Sequence, residues 1–416
     1  MTATEEHTAL TYLRPATATA AGLSARFQPV FDRVADGNVQ REQERVFPHE
    51  QVRLLKDAGF GRVRIPVEHG GFGASLEQTF DLLADLAEAD ANVAHIWRNH
   101  LAFVEDRLNA RPSAGNDRWL QRFLDGEFVG GGWTEANNGT FATLKTTVRR
   151  DGDRWLVNGA KFYATGSLYA DWLDVIGKGE GDSVLTALVR RDDPGVELID
   201  DWTGFGQRTT ASGSANYRDV PAEEGDVFPA GERFVYQGHF YQTAMLSVLA
   251  GITRAALRDG IAALKARGRN YPQALDPEPT ADAQLLQVVG QVSAHAFAAK
   301  AALRTSSGTL DGVATAHADG DETARKQRVL EAEVATAQAQ LVIIEAALQA
   351  TTTIFDALGA SGVSETRLLD RHWRNARTLA SHNPRVYKAR ILGDWLVNDK
   401  DPVPNLAALG RGGQGD

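Results

Sequence analysis

Hydrophobic periodicity changes twice along this chain, and this feature constrains the fold more than any other. Between residues 21 and 128, apolar side chains recur at three- and four-residue steps, as in LEQTFDLLADLAEAD, which predicts amphipathic helices. Between residues 129 and 231 the pattern alternates, which predicts strands with turns at Asp151-Gly152 and Asn158-Gly159. From residue 237 onward, long alanine-rich blocks predict the helices of a bundle.

These three zones define the predicted domain organisation. We expect an N-terminal helical domain at residues 1–128, a central β domain at 129–235 and a C-terminal helical bundle at 236–416. A chain of 416 residues is too long for one ordinary hydrophobic core, so several domains suit its length. The predicted fold class is therefore mainly α with a central antiparallel β domain.

Composition excludes several classes of function. The net charge of −10 argues against a nucleic-acid or anionic-membrane partner. The chain has no cysteine, which rules out thiolate nucleophiles, disulfides and iron–sulfur or zinc–cysteine sites. No apolar run approaches a membrane span, and the N-terminus lacks the pattern of a signal peptide. We expect a cytoplasmic protein.

Several segments, in this order along the chain, resemble the acyl-CoA dehydrogenase superfamily. They are IPVEHGGFGAS, WTEANNGT, WLVNGAKFYATGS, DDWTGFGQRTTASGS, ALGASGV and LLDRHWRNARTLASHNPRVYK. Within the superfamily, the chain is most similar to the flavin-dependent monooxygenases typified by dibenzothiophene monooxygenase, from about residue 26 to residue 405. The resemblance implies an N-terminal helical domain, a β-barrel-like middle domain and a C-terminal four-helix bundle.

The same resemblance implies a two-component monooxygenase. A separate NAD(P)H:flavin reductase would supply FMNH2, since the sequence shows no NAD(P)H-binding fingerprint. Reaction with O2 would give a C4a-hydroperoxyflavin that passes one oxygen to sulfur or nitrogen of a small hydrophobic substrate. Two alternatives stay open. One is an FAD-dependent acyl-CoA dehydrogenase with its base elsewhere, for example Glu345, and the other is a catalytically silent oligomeric flavin-binding scaffold.

The β domain supplies the residues that the resemblance places against the flavin ring. Neither of its glycine-containing loops matches the phosphate-binding patterns GxGxxG or GxxxxGKS, so a Rossmann or P-loop site is disfavoured. The glycines alternatively do no more than shape the ends of strands. The predicted flavin contacts are Trp133, Thr134, Tyr163 and Thr165, and Trp202 is predicted to line the substrate pocket.

The predicted phosphate-binding residues lie in ARGRNYP. By resemblance, Arg269 meets the FMN phosphate, whereas the dehydrogenases use an arginine matching Arg267 for the FAD pyrophosphate. The alternative is a solvated basic helix end that complements the helix dipole. Gly359 and Ser361, in ALGASGV, match the loop by which a neighbouring subunit completes the cofactor site, which implies a homotetramer built as a dimer of dimers.

A histidine and an asparagine in NVAHIWRNH stand four residues apart, on one face of a predicted helix. By resemblance His95 is an active-site residue, although a lone helical histidine is often an ordinary packed side chain. Asn99 stands where the dibenzothiophene monooxygenases have a tyrosine, and with Thr165 it is predicted to hold the flavin–oxygen adduct. Asparagine is a poor transition-metal ligand and no HExxH motif is present, so no metal site is predicted.

The stretch ASHNPRVYK corresponds to the region where common acyl-CoA dehydrogenases carry a glutamate base. No Asp or Glu occurs between residues 378 and 388, so proton abstraction from a substrate carbon lacks its usual base. By resemblance His382 is an active-site residue. A histidine with a pKa near 6.5 suits proton transfer around neutral pH. The alternative is that Asn383-Pro384 turns the chain and that His382 is incidental.

Overall fold

The N-terminal part of the molecule is helical. The computed structural model describes residues 10–136 and 143–402, so the last residues of WTEANNGT lie outside the described part. The first seven helices are α1 (Ala20–Ala35), α2 (Asn38–Glu44), α3 (His49–Ala58), α4 (Leu76–Ala89), α5 (Ala91–Ile96), α6 (Arg98–Asn109) and α7 (Ala114–Leu124). Their apolar faces share one core with the sheet and the long C-terminal helices.

The middle of the described chain forms one eight-stranded sheet in the order β6-β7-β3-β2-β4-β5-β8, with β1 beside β4. Within the described strands the sheet is open, because no hydrogen bonds join its two edge strands, β6 and β8. The strands are β1 (Val129–Gly132), β2 (Thr147–Asp151), β3 (Arg154–Lys161), β4 (Trp172–Lys178), β5 (Val184–Arg190), β6 (Val196–Ile199), β7 (Ser214–Ala222) and β8 (Val227–Pro229).

The sheet confirms a central β domain and corrects two details of the prediction. Most pairings are antiparallel, but β1 runs parallel to β4, and β2 meets β4 in parallel at Thr147 and Lys178. The predicted turn at Asn158-Gly159 is wrong, because both residues lie inside β3. Gly159, at φ 143°, sits at a register shift toward β7, and a Cβ there would come within 2.6 Å of Thr146. The glycine therefore permits close strand packing at a bulge.

The C-terminal part is a helical bundle, which confirms the predicted acyl-CoA-dehydrogenase-like fold class. Helices α8, α9 and α10 pack against one another, α4 joins them from the N-terminal part, and α11 and α12 pack on α10. Within the described residues, no helix is both long and apolar enough to cross a bilayer. The five helices are α8 (Gln237–Lys265), α9 (Ala283–Ala318), α10 (Glu322–Thr353), α11 (Asp370–Ala380) and α12 (Arg385–Asn398).

A buried cluster of charges joins these parts where β8 leads into α8. The Arg233 guanidinium donates to Asp106 of α6 at 2.6 Å, to Asp174 of β4 at 2.6 Å and to Thr186 of β5 at 2.7 Å. Asp106 also pairs with Arg107, so two arginines face two aspartates and the net charge is zero. Buried ions that are fully paired tie elements together, but removal of one partner leaves an uncompensated charge.

We predict that Arg233→Met lowers the free energy of unfolding by about 3–5 kcal/mol, because Asp174 then remains buried without its cation. Urea denaturation at fixed protein concentration measures the change. The matched control is Arg328→Met, which removes an exposed ion pair with Glu331 and should cost less than about 1 kcal/mol. If the two variants unfold at the same urea concentration, the buried cluster does not hold the domains together.

Candidate active site

The first candidate residue, His95, lies near the end of the short helix α5. The Asp90 carboxylate begins this helix by accepting from the backbone N–H groups of Asn92 and Val93. The chain bends at Trp97 and continues as α6, so His95 and Asn99 lie on two consecutive short helices rather than on one. Both side chains nevertheless face the loop segments of the β domain, as the contacts below show.

His95 is held by a glutamine that the sequence analysis did not single out. Its ring is buried, and Nδ1 lies 3.0 Å from Oε1 of Gln207. Because an amide oxygen only accepts, Nδ1 carries the proton and Nε2 keeps its lone pair. Gln207 is fixed in turn by its left-handed backbone, at φ 53°, and by its N–H, which donates to Asn375 of α11 at 2.5 Å. The arrangement orients the imidazole and fixes its tautomer.

Two buried nitrogen atoms of this pair have no hydrogen-bond partner within the described residues. They are Nε2 of His95 and Nε2 of Gln207. Buried polar groups are satisfied in the great majority of native structures, and an unsatisfied one typically marks a bound water, a ligand or a catalytic role. The two atoms therefore identify a position where a ligand or water with hydrogen-bonding capacity belongs.

Asn99 connects α6 with the segment after β3. Its Nδ2 donates to the carbonyl oxygen of Thr165 at 3.0 Å. A Cβ at Gly131 would come within 2.5 Å of the same amide nitrogen, so β1 has a glycine where the helix approaches it. The Thr165 hydroxyl lies 2.7 Å from the hydroxyl of Ser212. The predicted site residues Asn99 and Thr165 are thus in direct contact, although the threonine hydroxyl already has one partner.

His382 lies in the turn between α11 and α12. Asn383 donates to Gln242 of α8 at 2.6 Å, and Gln340 of α10 donates to the carbonyl of Asn383 at 3.0 Å. The Asn-Pro turn is therefore real, and it also positions the histidine. His382 Nε2 lies 3.4 Å from Nη1 of Arg98. This arginine directly precedes Asn99, and the sequence alone did not indicate it as a site residue.

The pKa values of His95 and His382 both lie below the expected value near 6.5. Burial, and then the charges of Arg98 and His382, hold the pKa of His95 well below its usual value. Loss of hydration around the ring and then the Arg98 charge lower the pKa of His382 to about 3. The residue is exposed in the single chain, so the Arg98 guanidinium at 3.4 Å is the cause that its contacts show directly. Both imidazoles are therefore neutral at pH 7 and can accept a proton or a hydrogen bond.

The predicted flavin-facing residues of the β domain are linked to one another. Trp133 donates from Nε1 to Asp174 at 3.1 Å, which ties it to the Arg233 cluster. The carbonyl of the exposed Thr134 accepts from the N–H of Phe162, the residue before Tyr163, at 2.8 Å. Tyr163 adopts a left-handed backbone, at φ 59°, and is half exposed. Its ring lies 5.9 Å from that of Trp202, so an aromatic face remains available to a planar ligand.

The predicted phosphate-binding residues come together in a second location, at the C-terminal end of α8. Arg267 donates to the carbonyl of Ala357 at 2.8 Å, and Gly359 approaches Tyr271 so closely that a Cβ would lie 2.8 Å from its hydroxyl. The Ser361 hydroxyl donates to a nearby carbonyl in the same loop. Arg269 is exposed and has no ion pair within the described residues, so its guanidinium is available to a phosphate.

The two locations are far apart within one chain. Arg98 contacts Met245 near the start of α8, and Lys265, twenty residues later, ends the helix beside the phosphate-binding residues. At 1.5 Å per residue this separation is about 30 Å. One mononucleotide cannot contact both locations in the same chain.

The alternative base Glu345 lies outside the candidate site. It sits on the exposed side of α10, where it accepts from Arg385 at 2.9 Å and from Gln349. Because Glu345 pairs with the surface residue Arg385, it is a solvent-exposed residue of the bundle and not a buried general base. Within the described residues, no group of three or more His, Asp or Glu side chains is arranged to hold a metal ion.

Comparison with known protein families agrees with this architecture. The acyl-CoA dehydrogenase models match residues 27–127 for the N-terminal domain, 130–220 for the middle domain and 244–385 for the C-terminal domain. The chain belongs to the acyl-CoA dehydrogenase family.

Individual relatives show which members of the family this chain resembles. A protein of Pseudomonas putida named "Probable FMNH2-dependent monooxygenase SfnC" is 27% identical over 94% of this chain and 97% of its own length. Dibenzothiophene monooxygenase of Mycolicibacterium goodii is 26% identical over 89% and 92%. The solved structure of TdsC from Paenibacillus sp. A11-2 with FMN and indole is similar at a TM-score of 0.80 and 26% identity, covering 91% of this chain and 98% of that one.

The lowered histidine pKa values lead to a direct prediction. We expect the C2–H exchange rates of His95 and His382, followed in D2O by mass spectrometry, to show no inflection between pH 5 and pH 8. The reason is that burial and Arg98 keep both rings neutral in this range, so the protonated form appears only at lower pH. The same peptides of the urea-unfolded protein provide the reference. An inflection near pH 6.5 for either ring would contradict the described environment.

Proposed function

We propose that this protein is a two-component monooxygenase that uses FMNH2 and transfers one oxygen atom of O2 to sulfur or nitrogen of a small hydrophobic substrate. One observation carries the proposal: His95, Arg98 and His382 meet in a cluster without a carboxylate, in the region where an acyl-CoA dehydrogenase needs its base. The similarity to FMNH2-dependent relatives supports the same conclusion. Within the described residues, no carboxylate beside this cluster serves the dehydrogenase alternative as a base, and a silent scaffold does not need an oriented imidazole whose Nε2 has no partner.

The described residues fit a flavin mononucleotide. The aromatic face of Tyr163 and Trp202 suits a planar ring, and the free Arg269 suits one phosphate, so FMN is favoured over FAD. Trp133, Thr134 and Thr165 border the ring, and Arg267, Gly359 and Ser361 shape the phosphate loop. Bound reduced FMN supplies the two electrons with which O2 is split between the substrate and water.

The protein's own groups then orient the reactants, exclude water and move protons. Gln207 holds His95 so that Nε2 accepts a proton, and the Arg98 charge keeps His382 neutral so that its Nε2 also acts as an acceptor. Asn99, fixed on the Thr165 carbonyl, presents its amide beside β1. Burial of His95 and Thr165 excludes bulk water, which otherwise diverts reduced flavin and O2 to hydrogen peroxide.

The separation of about 30 Å along α8 supports a site shared between chains. The ring-facing residues of one chain would meet the Arg267–Arg269 end of another, in a homotetramer arranged as a dimer of dimers. A separate NAD(P)H:flavin reductase would deliver FMNH2, and the expected location is the cytoplasm. These statements on assembly, reductase and location are part of the proposal.

A hybrid experiment tests the shared site. Arg269→Ala should weaken FMN binding by about 1.5–3 kcal/mol, the usual range for a hydrogen bond to a charged group. Tyr163→Asn should weaken it by removing the aromatic face, while asparagine tolerates the left-handed backbone at this position. Neither pure variant then has a site of wild-type affinity.

Co-expressed chains that carry one substitution each, purified by two tags, distinguish the models. If each site draws its ring and phosphate residues from different chains, half of the sites in a hybrid pair are intact, and a flavin-fluorescence titration should show half-stoichiometric binding at wild-type affinity. If the hybrid has no site of wild-type affinity, or if sedimentation shows a monomer that binds one FMN, the shared site is refuted.

The role of His382 is tested by measuring how much of the consumed O2 is used for oxygen transfer to the substrate. His382→Ala should still bind FMN, but its oxygen-transfer rate should fall by roughly 10²–10⁴, the range for a lost general acid or base. The consumed O2 should then be recovered as hydrogen peroxide. Trial substrates are a thioether, a sulfone, an aromatic heterocycle and an amine, with the exposed His49→Ala as control. Unchanged turnover and coupling would mean that His382 only forms the turn.

A further inference from the structure

Arg98 carries a positive charge that no protein carboxylate neutralises. Its Nη1 donates to the Met245 sulfur at 3.1 Å and approaches His382 Nε2 at 3.4 Å, and its guanidinium lies 5.4 Å from the Tyr241 ring centre. Its Nε is buried and has no partner. Within residues 10–136 and 143–402, Arg98 forms no ion pair with an Asp or Glu, and Tyr241 is the one titratable group that raises its pKa. All of its acceptors are neutral.

Arg98 is half-buried, whereas the arginines that are buried have carboxylate partners. Arg64 pairs with Glu105, Arg233 with Asp106 and Asp174, and Arg371 with Asp259. Burial of an unpaired ion costs several kcal/mol, so proteins normally supply a counter-ion. Burial accordingly lowers the pKa of Arg98. A guanidinium held in this state is ready to receive an anion from outside the chain.

The surroundings of Arg98 add donors for such an anion. Nε2 of Gln207 is an unpartnered donor on a residue that is 1% exposed, and it belongs to the glutamine that holds the buried His95. His95 is close enough to Arg98 for the arginine charge to lower the pKa of its ring. Because the planar guanidinium presents paired N–H groups, it matches the two oxygens of a carboxylate, sulfinate or sulfonate.

We propose that Arg98 is the anchor for an anionic, oxygen-bearing group of the substrate. The substrate would then be a small organic oxyanion, which changes the small hydrophobic molecule of the proposed function to a charged one and disfavours a neutral heterocycle. The inference rests on the proposed function, because it concerns the molecule that is oxygenated. The contacts of Arg98 come from α8 and the α11–α12 turn, whereas the residues proposed to border the flavin ring lie in the β domain. Arg98 is therefore assigned to the substrate, although Tyr241 also connects it to Trp133, with 6.2 Å between the two ring centres.

The reaction balances for a sulfinate as a representative oxyanion. The sulfur lone pair forms a new S–O bond to one oxygen atom, the O–O bond breaks, and the second oxygen atom leaves as water with the two hydrogens of FMNH2. Sulfinate, O2 and FMNH2 give sulfonate, FMN and water. The charge of the organic group stays at −1, so Arg98 keeps the same partner throughout.

The experiment compares two ligands of the same shape and different charge. Methanesulfonate is an anion, and dimethyl sulfone is its neutral counterpart. Calorimetric titration of the full-length protein, both with saturating FMN and without flavin, should show methanesulfonate binding at least tenfold tighter than dimethyl sulfone. Arg98→Met, which keeps the length of the side chain, should abolish this preference, and Arg98→Lys should retain part of it. The exposed Arg149→Met should match wild type.

Each result has a defined meaning. Equal binding of the two ligands by the wild type overturns the oxyanion site. If Arg98→Met weakens FMN binding and leaves the preference for the anion intact, the arginine serves the flavin and the inference is wrong. Failure of the wild type to bind FMN refutes the proposed function instead, and the flavin-free titration still decides whether Arg98 binds an oxyanion.

Discussion

The geometry of this molecule depends on the pairing of Arg233 with Asp106 and Asp174. These three side chains come from the segment before α8, from α6 and from β4, so one guanidinium fixes the N-terminal helices, the sheet and the bundle relative to one another. Asp174 also accepts from Trp133, which makes the proposed flavin-facing segment an extension of the same network. The opposite charges cancel there, whereas Arg98, one turn from His95, has no carboxylate partner within the described residues and keeps its charge for a ligand.

The sequence predicts the fold well where periodicity is local. The change from helical to alternating spacing and back locates all three parts of the structure, because each pattern reports which side of an element is buried. Periodicity does not report which strands pair. The parallel contact of β1 with β4 and the bulge at Gly159 depend on strands distant in the chain, so Asn158-Gly159 could be mistaken for the turn that the same dipeptide usually forms.

The residues of the candidate site could also be predicted only in part. The residues singled out by resemblance fall into two groups, one around His95, Asn99, Thr165 and His382 and one around Arg267. Their roles remain proposals. Gln207 and Arg98 were missed because their importance comes from tertiary contacts, although Gln207 lies within a segment that carried the resemblance. The lowered pKa values of the histidines could not be predicted from the sequence either, because burial and a neighbouring charge exist only in the folded chain.

Helix α8 contacts Arg98 of the candidate site near one end and leads into the predicted phosphate-binding arginines at the other. If each flavin bridges two chains, every bound flavin also acts as a cross-link between them. Ligand binding and subunit association are then thermodynamically linked, since a ligand that binds only the associated form stabilises that form. The apparent affinity for flavin becomes a function of protein concentration. In that case dilution would favour release of the cofactor, and bound flavin would favour association of the chains.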